Sequence, residues 1–347
     1  MSSPEDSIRR IIWPVIITLL ILLILGDLLM GSVRLSAGEV WNSLTATFPA
    51  DDTAATIIRQ FRLPRVMTAV FAGMALSVSG LLMQTVFRNP LAGPYVLGIS
   101  AGASLGVALV VLGFSSLFAF NKISLPGNSA MLLAAATGSI LVLLLLLIVS
   151  ARVKDIMTIL ILGVMFGSAV TALVAILQYF SNESMLKAFI IWTMGSLSST
   201  TNQQVYLLAV MVILGLLVTA MMLKNLNILM LGEEMAVSMG MNLYLNRAVI
   251  FLVTGLLVGA VTAYCGPIGF IGIIVPHIAR MMFNTSHVGR LFPGTIVLGA
   301  VILLAGDLVS HIPGKAAVLP INAVTAVLGV PVIMWMILRN RKLSALM

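Results

Sequence analysis

Charge is what this sequence has least of. Of its 347 residues only 9% are Asp, Glu, Lys or Arg, against roughly 25% in a soluble globular chain, so a water-soluble domain is excluded. The 60% share of hydrophobic residues excludes disorder as well. Cys265 is the single cysteine, so no disulfide forms within the chain. Histidine is equally scarce. His277, His287 and His311 lie in separate segments without H-x-x-x-H or H-E-x-x-H spacing, which argues against a bound metal. No G-x-x-x-x-G-K-[ST] occurs, since Gly314-Lys315 has Val309 where the first glycine belongs, and the chain has no ATP site of its own. The formal charge of +8 includes no run of five or more basic residues, so a nucleic-acid surface is not indicated.

Long apolar runs are what the sequence does have, with a mean hydropathy of +1.15. A bilayer span takes about 20 apolar residues. Charged residues and Pro/Gly breaks divide the chain into ten apolar blocks: Ile11–Met30, Val66–Phe87, Tyr95–Leu112, Met131–Ser150, Ile156–Tyr179, Val205–Leu223, Ala248–Cys265, Phe270–Met282, Leu291–His311 and Ile321–Leu338. The first, behind Arg9 and Arg10, reads as a retained helix in preference to a signal peptide, because no A-x-A site follows it. The Phe270–Met282 block is shorter than a bilayer is thick and must be shielded by protein or line a cavity. The expected fold is an all-α polytopic membrane protein of about ten transmembrane helices, one of them short. Residues 1–347 form a single membrane domain with both termini cytoplasmic. In that topology twelve of the 19 cations fall inside and seven outside, the direction the positive-inside rule requires. The outside group Arg59, Arg62 and Arg65 breaks the trend, so something besides topology calls for positive charge there.

Several motifs invite a chemical reading. Gly98-Ile99-Ser100-Ala101-Gly102 matches G-x-S-x-G, and with His277 as base it would describe an intramembrane serine hydrolase. That elbow needs a strand–turn–helix context, whereas this segment lies in an apolar helical block, where small residues serve close packing. Asp307, at the edge of a span, reads as one half of an ion pair or a helix-end hydrogen bond in preference to a proton relay. The absence of partner carboxylates argues against an autonomous secondary carrier. The loop 224–247 is the longest cytoplasmic one. Within it Glu233, Glu234, Met235, Ala236, Val237, Ser238 and Met239 read as a short helix ended by Gly240, with acids at its start. Met235, Ala236 and Met239 make a small apolar face suited to a groove in another protein.

Taken in order, a series of motifs resembles one family, the permease subunits of type II ABC importers for iron-siderophore complexes, haem and cobalamin. They are Arg62-Leu63-Pro64-Arg65, Ser79-Gly80 with Gln84, Arg88-Asn89-Pro90-Leu91-Ala92-Gly93-Pro94 and Leu97–Ala103. Trp192–Leu197, Glu233–Gly240, Gly269–Gly272, Pro276–Arg280 and Leu319–Pro331 complete them, covering nearly the whole chain after the first block. The resemblance implies ten helices per subunit and a homodimer with the pathway at its interface. It also implies two ATPase subunits carrying ATP and Mg, a substrate-binding protein outside, and residence in the inner membrane. No cofactor bound by this chain is implied.

Residue by residue, the resemblance makes Glu233, Glu234, Met235, Ala236, Ser238, Met239 and Gly240 the coupling helix for the ATPase. It makes Arg62 and Arg65 the basic pair that meets the binding protein. His311 stands where many relatives carry a third docking arginine, with Lys315 as a second cation nearby. Asn89 and Leu91 match the cytoplasmic gate, faced by Ile156 and Met157 in a loop alike in place but not in residue type. Most of the cavity wall is expected from Ile156–Tyr179 and the final helix. A ferric siderophore or haem is the expected substrate, with cobalamin as the alternative.

Overall fold

A computed structural model describes residues 4–31, 33, 35–45, 52–113, 127–153, 155–312 and 318–344. The described residues are helical, without strands. The helices are α1 (Pro4–Leu29), α2 (Ala37–Thr45), α3 (Thr53–Val86), α4 (Ile99–Ala108), α5 (Gly127–Arg152), α6 (Ile156–Tyr179) and α7 (Glu183–Thr193). They continue as α8 (Asn202–Met221), α9 (Leu223–Met230), α10 (Glu233–Ser238), α11 (Leu243–Cys265), α12 (Ile271–Phe283), α13 (Val288–Ser310) and α14 (Ile321–Ser344). Seven of them carry stretches long and apolar enough to cross a bilayer, and three shorter apolar helices accompany these: Ile99–Leu112, Ile271–Phe283 and Ile321–Met336.

Four of the long helices (α3, α6, α8 and α11) begin where the sequence supplies side-chain caps. Asp52 accepts from the N–H groups of Ala54 and Ala55, Asp155 from Met157 and Thr158, and Asn242 from Leu245. Thr201 and Gln204 form a capping box. Each satisfies donors that a helix start leaves open.

At the centre stands α3, buried on most faces and packed against α8, α11, α12 and α13. It starts thirteen residues before the expected Val66, because Asp52 caps it and a π-helical stretch, Ile57–Arg62, carries the turn into Pro64. Proline has no N–H to give to the preceding turn, and a register shift just ahead of it accommodates that loss. At 1.5 Å per residue its 34 residues span about 51 Å, longer than the ~30 Å apolar core of a bilayer. Its first turns therefore extend past the hydrocarbon.

Small residues bring the helices together. A Cβ on Gly80 of α3 would overlap the Gly272 carbonyl of α12, and one on Gly73 would meet the Gly299 carbonyl of α13. Gly102 and Gly106 of α4 abut the backbone of α5 at Gly138 and Ala134. Backbone-to-backbone approach of this kind is how membrane helices gain dispersion contacts without a hydrophobic driving force. The short α12 is sheltered as its length demands, lying against α3, α13 and α14. Two short helices, α7 and α9, are not expected from the apolar blocks: α7 lies between two of them and α9 runs on from the end of Val205–Leu223.

Candidate coupling and docking sites

The two ends of the bundle hold its charges. At one end, α1 and α13 are tied to α3 through Arg65. Its Nη2 lies 2.6 Å from Asp27 Oδ1, its Nε 3.1 Å from Asp307 Oδ2 and its Nη1 2.9 Å from His311 Nε2. Nη2 also donates to the carbonyls of Asp27 (2.7 Å) and Met30 (3.1 Å). A guanidinium only donates, so His311 Nε2 must accept. Its Nδ1 then carries the hydrogen and donates to the Asp307 carbonyl at 2.8 Å. Asp27 Oδ2 finds no donor among the described residues, and Asp307 Oδ2 has the Arg65 Nε beside it, without hydrogen-bond alignment. Both acids thus face the one Arg65 guanidinium, and pairing is the condition under which charges persist at such depth.

Arg62 is also internal. Its Nη1 donates to the Leu28 (2.6 Å) and Leu29 (3.0 Å) carbonyls and its Nη2 to Val33. It thus covers the open carbonyls at the C-terminus of α1, where a cation suits the helix dipole. Arg62 and Arg65 are 4% and 6% exposed in the protomer, so their guanidinium groups point into it. The exposed arginine of the trio is Arg59, whose Nε donates to the Ser43 carbonyl at 2.7 Å. Lys315 lies outside the described residues. The bias against positive-inside at these arginines thus has an internal cause in two of three cases. Asp27, the partner that sequence reading missed, was marked all along as a single acid near the end of an otherwise apolar block.

At the other end lies α10. Its first residue, Glu233, meets Arg247 of α11 through Oε1 at 2.6 Å from Nη2. The helix closes on a Schellman pair: Gly240 N–H donates to Val237 O at 2.9 Å and Met241 N–H to Ala236 O at 3.0 Å. Gly240 has φ +82°, which glycine adopts without strain. Ala236 is fully buried, while Met235, Val237 and Met239 are each more than half exposed. The outward apolar face is therefore Met235, Val237 and Met239, with Ala236 turned inward. Ser238 donates to the Glu234 carbonyl, and Glu234 itself is exposed.

The 88–91 turn sits beside this helix, because a Cβ on Gly232 would come 3.4 Å from Arg88 Nη1. Asn89 Oδ1 accepts from Leu91 N–H at 2.9 Å, and Leu91 is exposed. At the start of α6 Met157 is exposed, but Ile156 is buried in the protomer. Asp155, whose carboxylate takes the hydroxyl and N–H of Thr158 and the N–H of Met157, is held below the usual carboxylate range chiefly by these bonds.

Ser100 of the G-x-S-x-G segment shares a hydrogen bond with Thr262 at 3.3 Å and is buried, inside a helix. It has the surroundings of a packing serine. Nearby, a cleft of about 610 Å³ runs between α4 and α6, lined by Tyr95, Ser100, Gly163, Gly167, Ser168 and Thr171.

The chain matches known proteins along nearly its whole length. The model of the FecCD transport family matches residues 19–339. The chain belongs to the FecCD transport family. It is 34% identical to the hemin transport system permease protein HmuU of Yersinia pestis over 96% of this chain and 97% of that one. It is 36% identical to the vitamin B12 import system permease protein BtuC of Salmonella typhi, covering 97% and 98%. A solved metal-chelate type ABC transporter in an inward-facing conformation superposes with a TM-score of 0.80 at 27% identity, covering 93% of this chain and 97% of that one. The motifs quoted from the sequence thus mark an ABC-importer permease, a multi-pass membrane protein. In this FecCD permease α6 leaves an apolar face uncovered, with Ile161, Met165, Leu173 and Ile176 exposed.

Proposed function

We propose that this chain is the membrane subunit of a homodimeric ABC importer that takes up a large metal chelate. The observation that carries the reading is α10. A six-residue helix, stapled to the bundle by Glu233–Arg247, turns Met235, Val237 and Met239 outward instead of burying them. Exposed flexible apolar side chains on a rigidly mounted helix are suited to a groove in a partner. By this reading, ATPase subunits supply ATP and Mg to a chain with no nucleotide motif of its own, and α10 is seated on them in the cytoplasm below the inner membrane. A substrate-binding protein docks at the opposite end, where Arg59 is exposed above Arg62, Arg65 and His311, with Lys315 in the following segment. The uncovered faces of α6 and α14 meet a second copy and line the pathway, and Asn89, Leu91, Ile156 and Met157 close it at the cytoplasmic end.

The substrate is a metal-centred chelate, haem or a ferric siderophore. Cobalamin is supported equally, since relatives of both the hemin and the vitamin B12 type match over nearly the full chain. The cleft between α4 and α6 offers hydroxyls and glycines but no charge, which suits a bulky ligand that has to leave again. The deciding experiment is reconstitution into proteoliposomes with the ATPase and binding protein, using labelled haem, a ferric siderophore and cobalamin. ATP-dependent accumulation of one of them is expected. Accumulation by the chain alone, without ATPase, would sink the proposal.

A further inference from the structure

We infer that the groove between α5, α8 and α11 holds one phospholipid of the surrounding membrane, its acyl chain lying along α11. The groove has a volume of about 610 Å³ and shares no lining residue with the cleft between α4 and α6. α5 and α8 each pack on α11 and scarcely on each other, so a gap stays open between them. Its walls include Leu132, Leu144, Val218, Leu252 and Leu256, and its only polar side chains are Ser139 and Tyr264. Along α11 it runs from Val249 to Tyr264, or about 22 Å at ~1.5 Å per residue. Tyr264 marks the end away from α10, since Arg247, which meets Glu233, stands at the other end of α11. There the groove passes into a small niche bordered by Trp192, Ser199 and Gln204, the two sharing Leu132, Ala263 and Tyr264. No charged residue lines the niche. Trp192 Nε1, Gln204 Nε2 and the Tyr264 hydroxyl make no hydrogen bond among the described residues. Three uncharged donors thus gather at one end of an apolar slot.

Water does not fill an apolar slot of this kind. The rim is continuous with the surface that these spans turn to lipid, since Ile140, Leu144, Leu252 and Leu256 are exposed. A helix of a second copy is too wide. A volume of about 610 Å³ over about 22 Å averages about 27 Å² in cross-section. A helix ~10 Å across takes ~80 Å². A single acyl chain is narrow enough, and the groove is long enough to carry it through the ~15 Å of hydrocarbon in one leaflet. The free donors at the end suit ester and phosphate oxygens, which only accept. Trp and Tyr are also the side chains that sit at headgroup level. With no cation in the niche, the site has no means of selecting an anionic headgroup.

The test uses the whole chain in detergent, supplied with equal amounts of phosphatidylethanolamine and phosphatidylglycerol, with retained lipid read by native mass spectrometry. After extended washing the wild type should keep one phospholipid per chain, the two headgroups about equally. Ala136→Trp puts a large ring into the slot and should abolish retention. Leu217→Trp, at an exposed position of α8 outside the slot, should leave it unchanged. Tyr264→Phe should weaken retention by about fivefold, the worth of one neutral hydrogen bond. A phosphatidylethanolamine with a diazirine at the tip of its acyl chain, bound to the wild type before the wash, should on irradiation mark Val218, Val249 or Leu252 at the far end of the groove. That readout decides the matter even where Ala136→Trp fails to fold. A wild type that keeps no lipid, a mark elsewhere, or retention unchanged in folded Ala136→Trp or in Tyr264→Phe overturns the proposal. Selective retention of phosphatidylglycerol also overturns it, because that outcome locates the lipid at a cationic surface. Cys265 is buried and is the sole cysteine, so Leu256→Cys offers one accessible thiol. An oxidative cross-link between two copies through it overturns the proposal in favour of a protein interface.

Discussion

Asp27 and Arg65, on different helices and 38 residues apart, form a buried ion pair at 2.6 Å, and the same guanidinium reaches Asp307 on a third helix. This arginine, together with Arg62 on the Leu28 and Leu29 carbonyls and the packing of α1 on α13, makes α1 part of the bundle instead of a loosely appended span. The pair also explains why an arginine sits where topology alone disfavours it.

Removing the cation should cost far more than removing a surface charge. Arg65→Ala leaves the Asp27 and Asp307 carboxyls buried without their cation, and breaking a buried pair this way typically costs about 3–5 kcal/mol. Thermal unfolding in detergent should show a large fall for Arg65→Ala. Arg65→Met combined with Asp27→Asn and Asp307→Asn should recover much of it. Equal losses in the single and triple variants would contradict the buried-pair account.

His311 makes the outer cluster sensitive to acid. Burial, reinforced by the Arg65 charge, holds its imidazole below the ordinary histidine value of 6.5. The unfolded chain therefore takes up this proton at higher pH than the folded chain does. The stability contribution is fully present above pH 6.5 and is lost as pH falls from there toward the lowered folded value. Protonation would also put N–H on Nε2, facing Arg65 Nη1 at 2.9 Å. The unfolding temperature should fall with acidification below 6.5 more steeply in the wild type than in His311→Gln. Parallel slopes would remove His311 from the account.

Glycine packing separates two sites of the same residue type. Gly80→Ala drives a Cβ into the Gly272 carbonyl, and backbone cannot yield as a side-chain tip can. Gly38 in α2 has nothing within 4 Å of its prospective Cβ, so Gly38→Ala should stabilise by about 0.5–1 kcal/mol through helix propensity. Unfolding temperatures moving in opposite directions are the expected result.

The exposed face of α10 should matter to assembly and not to folding. Met235→Ser, Val237→Ser and Met239→Ser together change side chains that are more than half exposed. The permease should remain monodisperse while its co-purification with ATPase subunits drops severalfold, as loss of clustered interface anchors does. Ala236→Leu is the contrasting case. It overpacks a fully buried position and should lower stability by about 1–3 kcal/mol.

Membrane character was legible in the sequence because bilayer insertion depends on additive local hydrophobicity, and ten apolar blocks needed no tertiary information. Helix caps were equally local: Asp52, Asp155, Thr201 and Asn242 act within three residues of themselves. The α10 loop was readable for the same reason, from two acids at its start and Gly240 at its end. Its outward face was not, since whether Ala236 or Val237 faces the bundle depends on what packs beneath.

Partnership between distant charges was settled only by the tertiary structure. Arg62 and Arg65 looked like free outer cations, yet one closes the carbonyls at the end of α1 and the other pairs with Asp27 and Asp307. The same holds for Arg247, one inside cation among twelve in the sequence, which meets Glu233 at 2.6 Å. A charge in an apolar chain announces that it needs a partner. Which partner it has is decided by helices meeting in space, where glycine contacts such as Gly80–Gly272 set the approach and low dielectric makes an unpaired charge untenable.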